Sequence, residues 1–216
     1  MPIVDRNVEK YMRTLQDRHD EPVLLEMEAE AEANGFPIVE RIVGVTLEVL
    51  ARSIGAKRIV ELGSGYGYSG YWFSRAVGPD GELHLTDGDP ENETKALDYL
   101  GRAGLAGPVH FHVGDAVTSL GELEGEFDIV YDDIDKEGYP DAWRAASERV
   151  RVGGLYICDN VLWYGRVTGE VALVSDRERE TTAAIIEHNA LIAADERYLS
   201  TIVPTRDGVM VALRVA

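Results

Sequence analysis

Over the first quarter of the chain the apolar positions recur at helical spacing. Val8, Met12 and Leu15 mark one face, Val23, Leu24 and Met27 a second, and Pro22 separates the two short helices they predict. The second helix carries Glu26, Glu28, Glu30 and Glu32, expected to be a solvated acidic face, and ends at the helix-stopping pair Asn34-Gly35. A third helix is predicted from about Pro37 to Ile54, with Ile42, Val43, Leu47 and Leu50 on its buried side. From Arg58 the pattern changes to short apolar runs alternating with longer amphipathic stretches, as a parallel sheet with crossover helices requires. The runs are Arg58–Leu62, Glu82–Thr86, Val109–Val113, Phe127–Tyr131 and Leu155–Cys158, and helices are expected near Tyr68–Val77, Pro90–Ala103, Pro140–Val150 and Arg177–Ala194. Tyr198–Pro204 and Val209–Val215 flank the turn Arg206-Asp207-Gly208 and read as an antiparallel hairpin. The prediction is one α/β domain over 36–216, a doubly wound, mostly parallel seven-stranded sheet, with a helical N-terminal extension over 1–35.

Composition narrows the function. The 216 residues include 39 acidic against 21 basic side chains, a formal charge of −18, which repels nucleic acid and anionic lipid at long range. Cys158 is the sole cysteine, so no disulfide forms within the chain. No apolar run approaches a membrane span and the first residues lack a leader pattern, so a soluble cytoplasmic protein is expected. Lysine occurs only at positions 10, 57, 95 and 136.

The candidate chemistry sits where strands end. Val60-Glu61-Leu62-Gly63-Ser64-Gly65-Tyr66-Gly67-Tyr68-Ser69 is a strand running through a glycine-rich turn into a helix, where an open α/β sheet binds a nucleotide. Gly65, Gly67 and Gly70 also fit a dinucleotide fingerprint, with Asp87 on the next strand end for a ribose. That fingerprint starts two residues late, however, and follows an acidic residue. Glu61 would repel a pyrophosphate and suits a cationic ligand such as S-adenosylmethionine, which has an ammonium, a sulfonium and no phosphate. Gly114-Asp115-Ala116 continues the series at the position that would flank an adenine.

The fourth and fifth runs end in Asp132-Asp133-Ile134-Asp135-Lys136-Glu137 and Asp159-Asn160. Asp133, Asp159 and the Asn160 amide oxygen would make an oxygen-only set suited to Mg²⁺, Mn²⁺ or Ca²⁺ and unsuited to zinc. Asp132, Asp135 and Glu137, taken singly, read as solvated loop acids. His110 and His112 share a strand face, yet no third nitrogen or sulfur ligand lies near in sequence, so a metal pair is not assigned. No G-x-S-x-G elbow occurs.

Together these residues resemble the cation-dependent, S-adenosylmethionine-dependent O-methyltransferases, the group of caffeoyl-CoA and catechol O-methyltransferases. Glu61, Gly63, Gly67, Tyr68 and Ser69 match E-x-G-x-x-x-G-Y-S; Asp133, Asp135, Lys136 and Tyr139 match D-x-D-K-x-x-Y; Asp159, Asn160, Leu162, Trp163 and Gly165 match D-N-x-L-W-x-G. His188-Asn189, Asp195-Glu196-Arg197, Pro204 and Asp207-Gly208 resemble the family's last helix and hairpin. The resemblance runs from about Phe36 to the end and implies a class I, Rossmann-like methyltransferase. It implies that Glu61, Gly63 and Ser69 hold the methionine end of the cofactor, Asp87 the ribose, and Asp115 and Ala116 the adenine. Asp133 would serve cofactor and metal, Asp133, Asp159 and Asn160 would ligate the cation, Lys136 would be the general base, and Trp163 would line the acceptor pocket. The implied acceptor is a small vicinal dihydroxy aromatic, the implied assembly a homodimer. Three alternatives stay open: an NAD-dependent oxidoreductase, a methyltransferase acting on a tRNA base hydroxyl, and a cofactor-binding protein without catalysis.

Overall fold

The computed structural model describes residues 4–216. Seven strands, β1 (Arg58–Leu62), β2 (Glu82–Asp87), β3 (Val109–Val113), β4 (Phe127–Asp132), β5 (Val150–Cys158), β6 (Tyr198–Val203) and β7 (Val209–Arg214), form one sheet in the order β3-β2-β1-β4-β5-β7-β6. The first five are parallel; β7 runs antiparallel between β5 and β6, so the expected doubly wound sheet and C-terminal hairpin are both present. The helices are α1 (Arg6–Thr14), α2 (Pro22–Asn34), α3 (Glu40–Ser53), α4 (Tyr68–Val77), α5 (Pro90–Arg102), α6 (Ala116–Glu122), α7 (Tyr139–Ala146) and α8 (Asp176–Ala194).

Strand alternation divides the core in two. Ile59 on β1 faces a cluster with Leu24, Met27, Leu47, Trp72 and Leu85, under α2 to α5. Its neighbour Val60 faces the opposite cluster, with Tyr139, Trp143, Tyr156 and Ile185, under α7 and α8. Helix α2 thus contributes Leu24, Met27 and Ala31 to the main core.

Its acidic side is solvated only in part: Glu26 and Glu32 are exposed, while Glu28 and Glu30 are half-buried. Glu28 accepts from the buried Arg41 at 2.6 and 2.9 Å and from the Tyr68 hydroxyl at 2.7 Å, Glu30 meets Lys95 at 2.6 Å, and Glu26 meets Arg102 at 3.0 Å. Three further boundaries differ from expectation. Helix α3 starts at Glu40 rather than Pro37, and α6, capped by the Asp115 carboxylate on the Thr118 N–H at 2.8 Å, lies where no helix was predicted. Strand β5 begins at Val150 rather than Leu155, in place of the expected helix end; Gly153-Gly154, at a register shift against β4, interrupts its apolar run and hides that start.

Candidate active site

From β1 the chain proceeds outward to β2 and β3, then returns across to β4, so the loops after β1 and β4 part at the carboxyl edge of the sheet. A cavity of about 1600 Å³ opens there. Gly63, Ser69, Asp87, Asp115, Ala116, Asp133, Lys136, Asp159, Asn160 and Trp163 all line it, and Glu61 lies fully buried directly beneath. Every predicted site residue therefore converges on one cleft.

In the half under the glycine turn, Ser69 Oγ donates to Glu61 Oε1, while Glu61 Oε2 is buried with no partner. Burial, reinforced by the charges of Asp133 and Asp87, pushes the Glu61 carboxyl up to about 8. Gly63 has φ +80°, and a Cβ there would stand 2.6 Å from the Asp133 carbonyl oxygen, so only glycine lets the turn lie against the β4 loop. Asp87 braces the turn: its Oδ2 accepts from the Gly65 N–H at 2.9 Å, and its Oδ1 accepts from Asp89 N–H and Asn92 Nδ2, each at 2.9 Å. Asp115 is exposed, and its hydrogen bonds from Thr118 hold it below the usual carboxylate range.

In the acidic half, Lys136 Nζ is 3.1 Å from Asp133 Oδ1, donates to the Ile134 carbonyl at 3.2 Å, and lies 4.9 Å above the Tyr139 ring. Asp159 is buried, and its Oδ1 accepts from the Asn160 N–H at 2.8 Å. Burial and then the Asp133 charge push Asp159 up to about 7; burial likewise raises Asp133, against the pull of Lys136. Burial alone would lower Lys136, but the charge of Asp133 outweighs it and holds the ammonium above its ordinary value. Asp133 thus meets the one lysine directly, and Asp159, Asn160 and half-buried Trp163 line the same part of the cavity.

Asp135 and Glu137 are exposed, as expected of loop acids, but Asp132 is not. It is fully buried, receives the Tyr156 hydroxyl at 2.6 Å, and burial pushes it up to about 7. Asp132, Cys158 and His188 come close enough to share an ion. Yet the Tyr156 hydroxyl, bonded to Asp132 and 2.9 Å from His188 Nε2, joins these groups into a hydrogen-bonded core knot. His110 and His112 acquire a third imidazole that sequence spacing hid: His84, on β2, has Nδ1 2.9 Å from His112 Nε2 and Nε2 2.7 Å from Glu82. Among the described residues these three do not gather their donors around one point. Sequence reasoning missed Phe36, Tyr164 and Arg206, which also line the cavity. Arg206 arrives because β7 pairs with β5, which sets the hairpin turn beside the β5 loop; no local pattern signals that.

A family model for O-methyltransferases matches residues 17–215. The chain belongs to this family. Caffeoyl-CoA O-methyltransferase 1 of Eucalyptus globulus is 32% identical over 179 residues, 80% of this chain and 73% of its own length. The catechol O-methyltransferase of Niastella koreensis is 34% identical over 170 residues, 76% of each chain. Among solved structures, TomG of Streptomyces achromogenes, an O-methyltransferase involved in tomaymycin synthesis and crystallised with S-adenosylmethionine, superposes with TM-score 0.81 at 26% identity over 91% of each chain. The Bacillus cereus O-methyltransferase bound to S-adenosylhomocysteine gives TM-score 0.83 at 25% identity, covering 95% of this chain and 97% of that one. The enzyme is an S-adenosylmethionine-dependent O-methyltransferase, and the dinucleotide reading of Gly65, Gly67 and Gly70 falls with that.

Proposed function

We propose that this O-methyltransferase moves the methyl group of S-adenosylmethionine to one hydroxyl of a vicinal dihydroxy aromatic, in a reaction that requires a divalent cation. The observation that carries this reading is the pairing of Asp133, Asp159 and Asn160 with a single lysine 3.1 Å from Asp133. These donors are all oxygens, two of them carboxylates raised by burial, Asp159 also by the Asp133 charge, and so fit a hard cation. Mg²⁺, Mn²⁺ or Ca²⁺ held there would make an acceptor hydroxyl more acidic.

The chain's own residues do the rest. Lys136 Nζ takes the hydroxyl proton; what keeps it protonated is the charge of Asp133, so neutralising that charge frees it to act as base. Glu61 offers its unpartnered Oε2 to the cofactor ammonium, and Ser69 fixes that carboxylate through Oε1. Asp87, positioned by Gly65 and Asn92, keeps acceptor capacity for ribose hydroxyls, while Asp115 and Ala116 flank the adenine. Trp163 covers the acceptor ring, and the remaining rate comes from holding nucleophile and methyl in line. The names of two relatives, caffeoyl-CoA and catechol O-methyltransferase, support the acceptor class.

The test compares catechol, phenol and 2-methoxyphenol as acceptors with Mg²⁺ present. Transfer to catechol and to neither monophenol is expected. A monophenol methylated as fast as the diol would overturn the reading.

A further inference from the structure

The loop after β5 holds an expensive conformation. Asn160, Trp163 and Tyr164 have φ of 58°, 46° and 54°, a left-handed region that side-chain-bearing residues rarely occupy. Two of these are the proposed cation ligand and the proposed acceptor-lining aromatic, so whatever holds the loop also sets the site. One strap comes from α8, where Asn189 Nδ2 donates to the Val161 carbonyl at 2.8 Å, and three come from the β6–β7 turn. Asp207 Oδ1 accepts from the Tyr164 N–H, the Asp207 carbonyl accepts from Leu162 N–H at 2.9 Å, and the Gly208 carbonyl accepts from Val161 N–H at 3.0 Å. Gly208 lies so close that a Cβ on it would stand 2.4 Å from Leu162 Cγ.

We propose that Asp207 is a positioning residue, whose carboxylate clamps the loop so that the Asn160 amide and the Trp163 ring face the same point. The turn itself does not need this side chain, because the Gly208 N–H already closes it on the Thr205 carbonyl at 2.8 Å. Asp207 is 6% exposed, and its second oxygen, Oδ2, is buried without a partner. A buried carboxylate with one oxygen unused is costly to keep for turn formation alone, and its other oxygen makes the hydrogen bond that fixes Tyr164. The clamp bears on the acceptor and cation side of the cleft, and the glycine turn that bears the cofactor hangs from other bonds, those of Asp87 and Thr86. The inference rests on the proposed roles of Asn160 and Trp163.

Amide hydrogen exchange across 159–166 tests it in the full-length protein and in D207A and D207N. The Tyr164 amide should be protected in the unsubstituted protein. In D207A the loop should exchange about tenfold faster, whereas D207N, whose amide oxygen accepts the same N–H, should match the original. In turnover, D207A should raise the acceptor KM and the Mg²⁺ needed for half-maximal rate about tenfold, with the S-adenosylmethionine KM unchanged, and D207N should restore both. An unprotected Tyr164 amide, equal exchange in D207A, damage in D207N equal to that in D207A, or a parallel rise in the cofactor KM would each overturn the clamp. If D207A does not fold, the Tyr164 amide and D207N still decide. If no diol is methylated, the acceptor reading fails, while exchange and S-adenosylhomocysteine binding still judge Asp207.

Discussion

Lys136 is held as an ammonium by the acids around it, and the proposed chemistry needs it to accept a proton. Lys136→Ala should therefore lower kcat by about 10²–10⁴ while leaving the S-adenosylhomocysteine dissociation constant, measured by calorimetry, unchanged. Unchanged turnover would remove Lys136 from the chemistry. The buried acids make a second prediction. Glu61, Asp132 and Asp159 keep their protons up to about 8, 7 and 7 in the folded chain, against about 4 when unfolded. These acids make the folded state bind more protons than the unfolded one, whereas burial lowers His188, to about 4, and also His84 and His112, which act the other way below about pH 6.5; above that pH the acids decide, and stability falls as pH rises. The melting temperature of the ligand-free enzyme should drop from about pH 6.5 to about pH 8.5, and S-adenosylhomocysteine, whose ammonium is proposed to meet Glu61, should reduce the drop. A melting temperature that rises over this range would contradict the burial of these acids. Glu61, Asp133 and Asp159 were legible because each stands at or beside the end of an apolar run. Asp132 was not: as the last residue of β4 it shares a face with Val130, and its partners Tyr156 and His188 lie far along the chain.

At the scale of elements, the cleft depends on how α2 and α3 are tied to the sheet. Arg41 on α3 is 6% exposed, reaches Glu28 on α2 through two nitrogens and pairs with Asp20 as well. Removing it strands a half-buried carboxylate that also serves Tyr68, at the start of α4 beside the glycine turn. Arg41→Ala should destabilise the fold by about 3–5 kcal/mol, seen as a melting temperature lower by roughly 10 °C; a shift near zero would show that the pair is idle. The strands and most helices could be read from the sequence, because buried strands leave short apolar runs and each helix buries one face, but the order of the strands could not. What periodicity could not supply was pairing across elements: Glu28 and Glu30 of α2 look solvated until Arg41 and Lys95 are placed beside them. Helix α6 escaped for a related reason, having seven residues and its start set by one Asp115 cap.

Over the whole molecule, the charge of −18 is unevenly used. Most of the acidic side chains are at the surface, some of them paired with arginine in bridges of modest value, but Glu61, Asp87, Asp133 and Asp159 gather at one sheet edge, where the proposed function needs negative charge. Among the described residues no helix is long and apolar enough to cross a membrane. The family resemblance predicts a homodimer, which light scattering checks: twice the chain mass of 23.8 kDa is expected, and the mass of one chain would refute it. The central claim, that the acids after β4 and β5 serve a cation in methyl transfer, is tested most directly by assaying the metal-stripped enzyme with S-adenosylmethionine and catechol while Mg²⁺ is titrated in. The account predicts no transfer in excess EDTA and a rate restored by Mg²⁺, with Asp159→Ala unresponsive. Full turnover in excess chelator would contradict it.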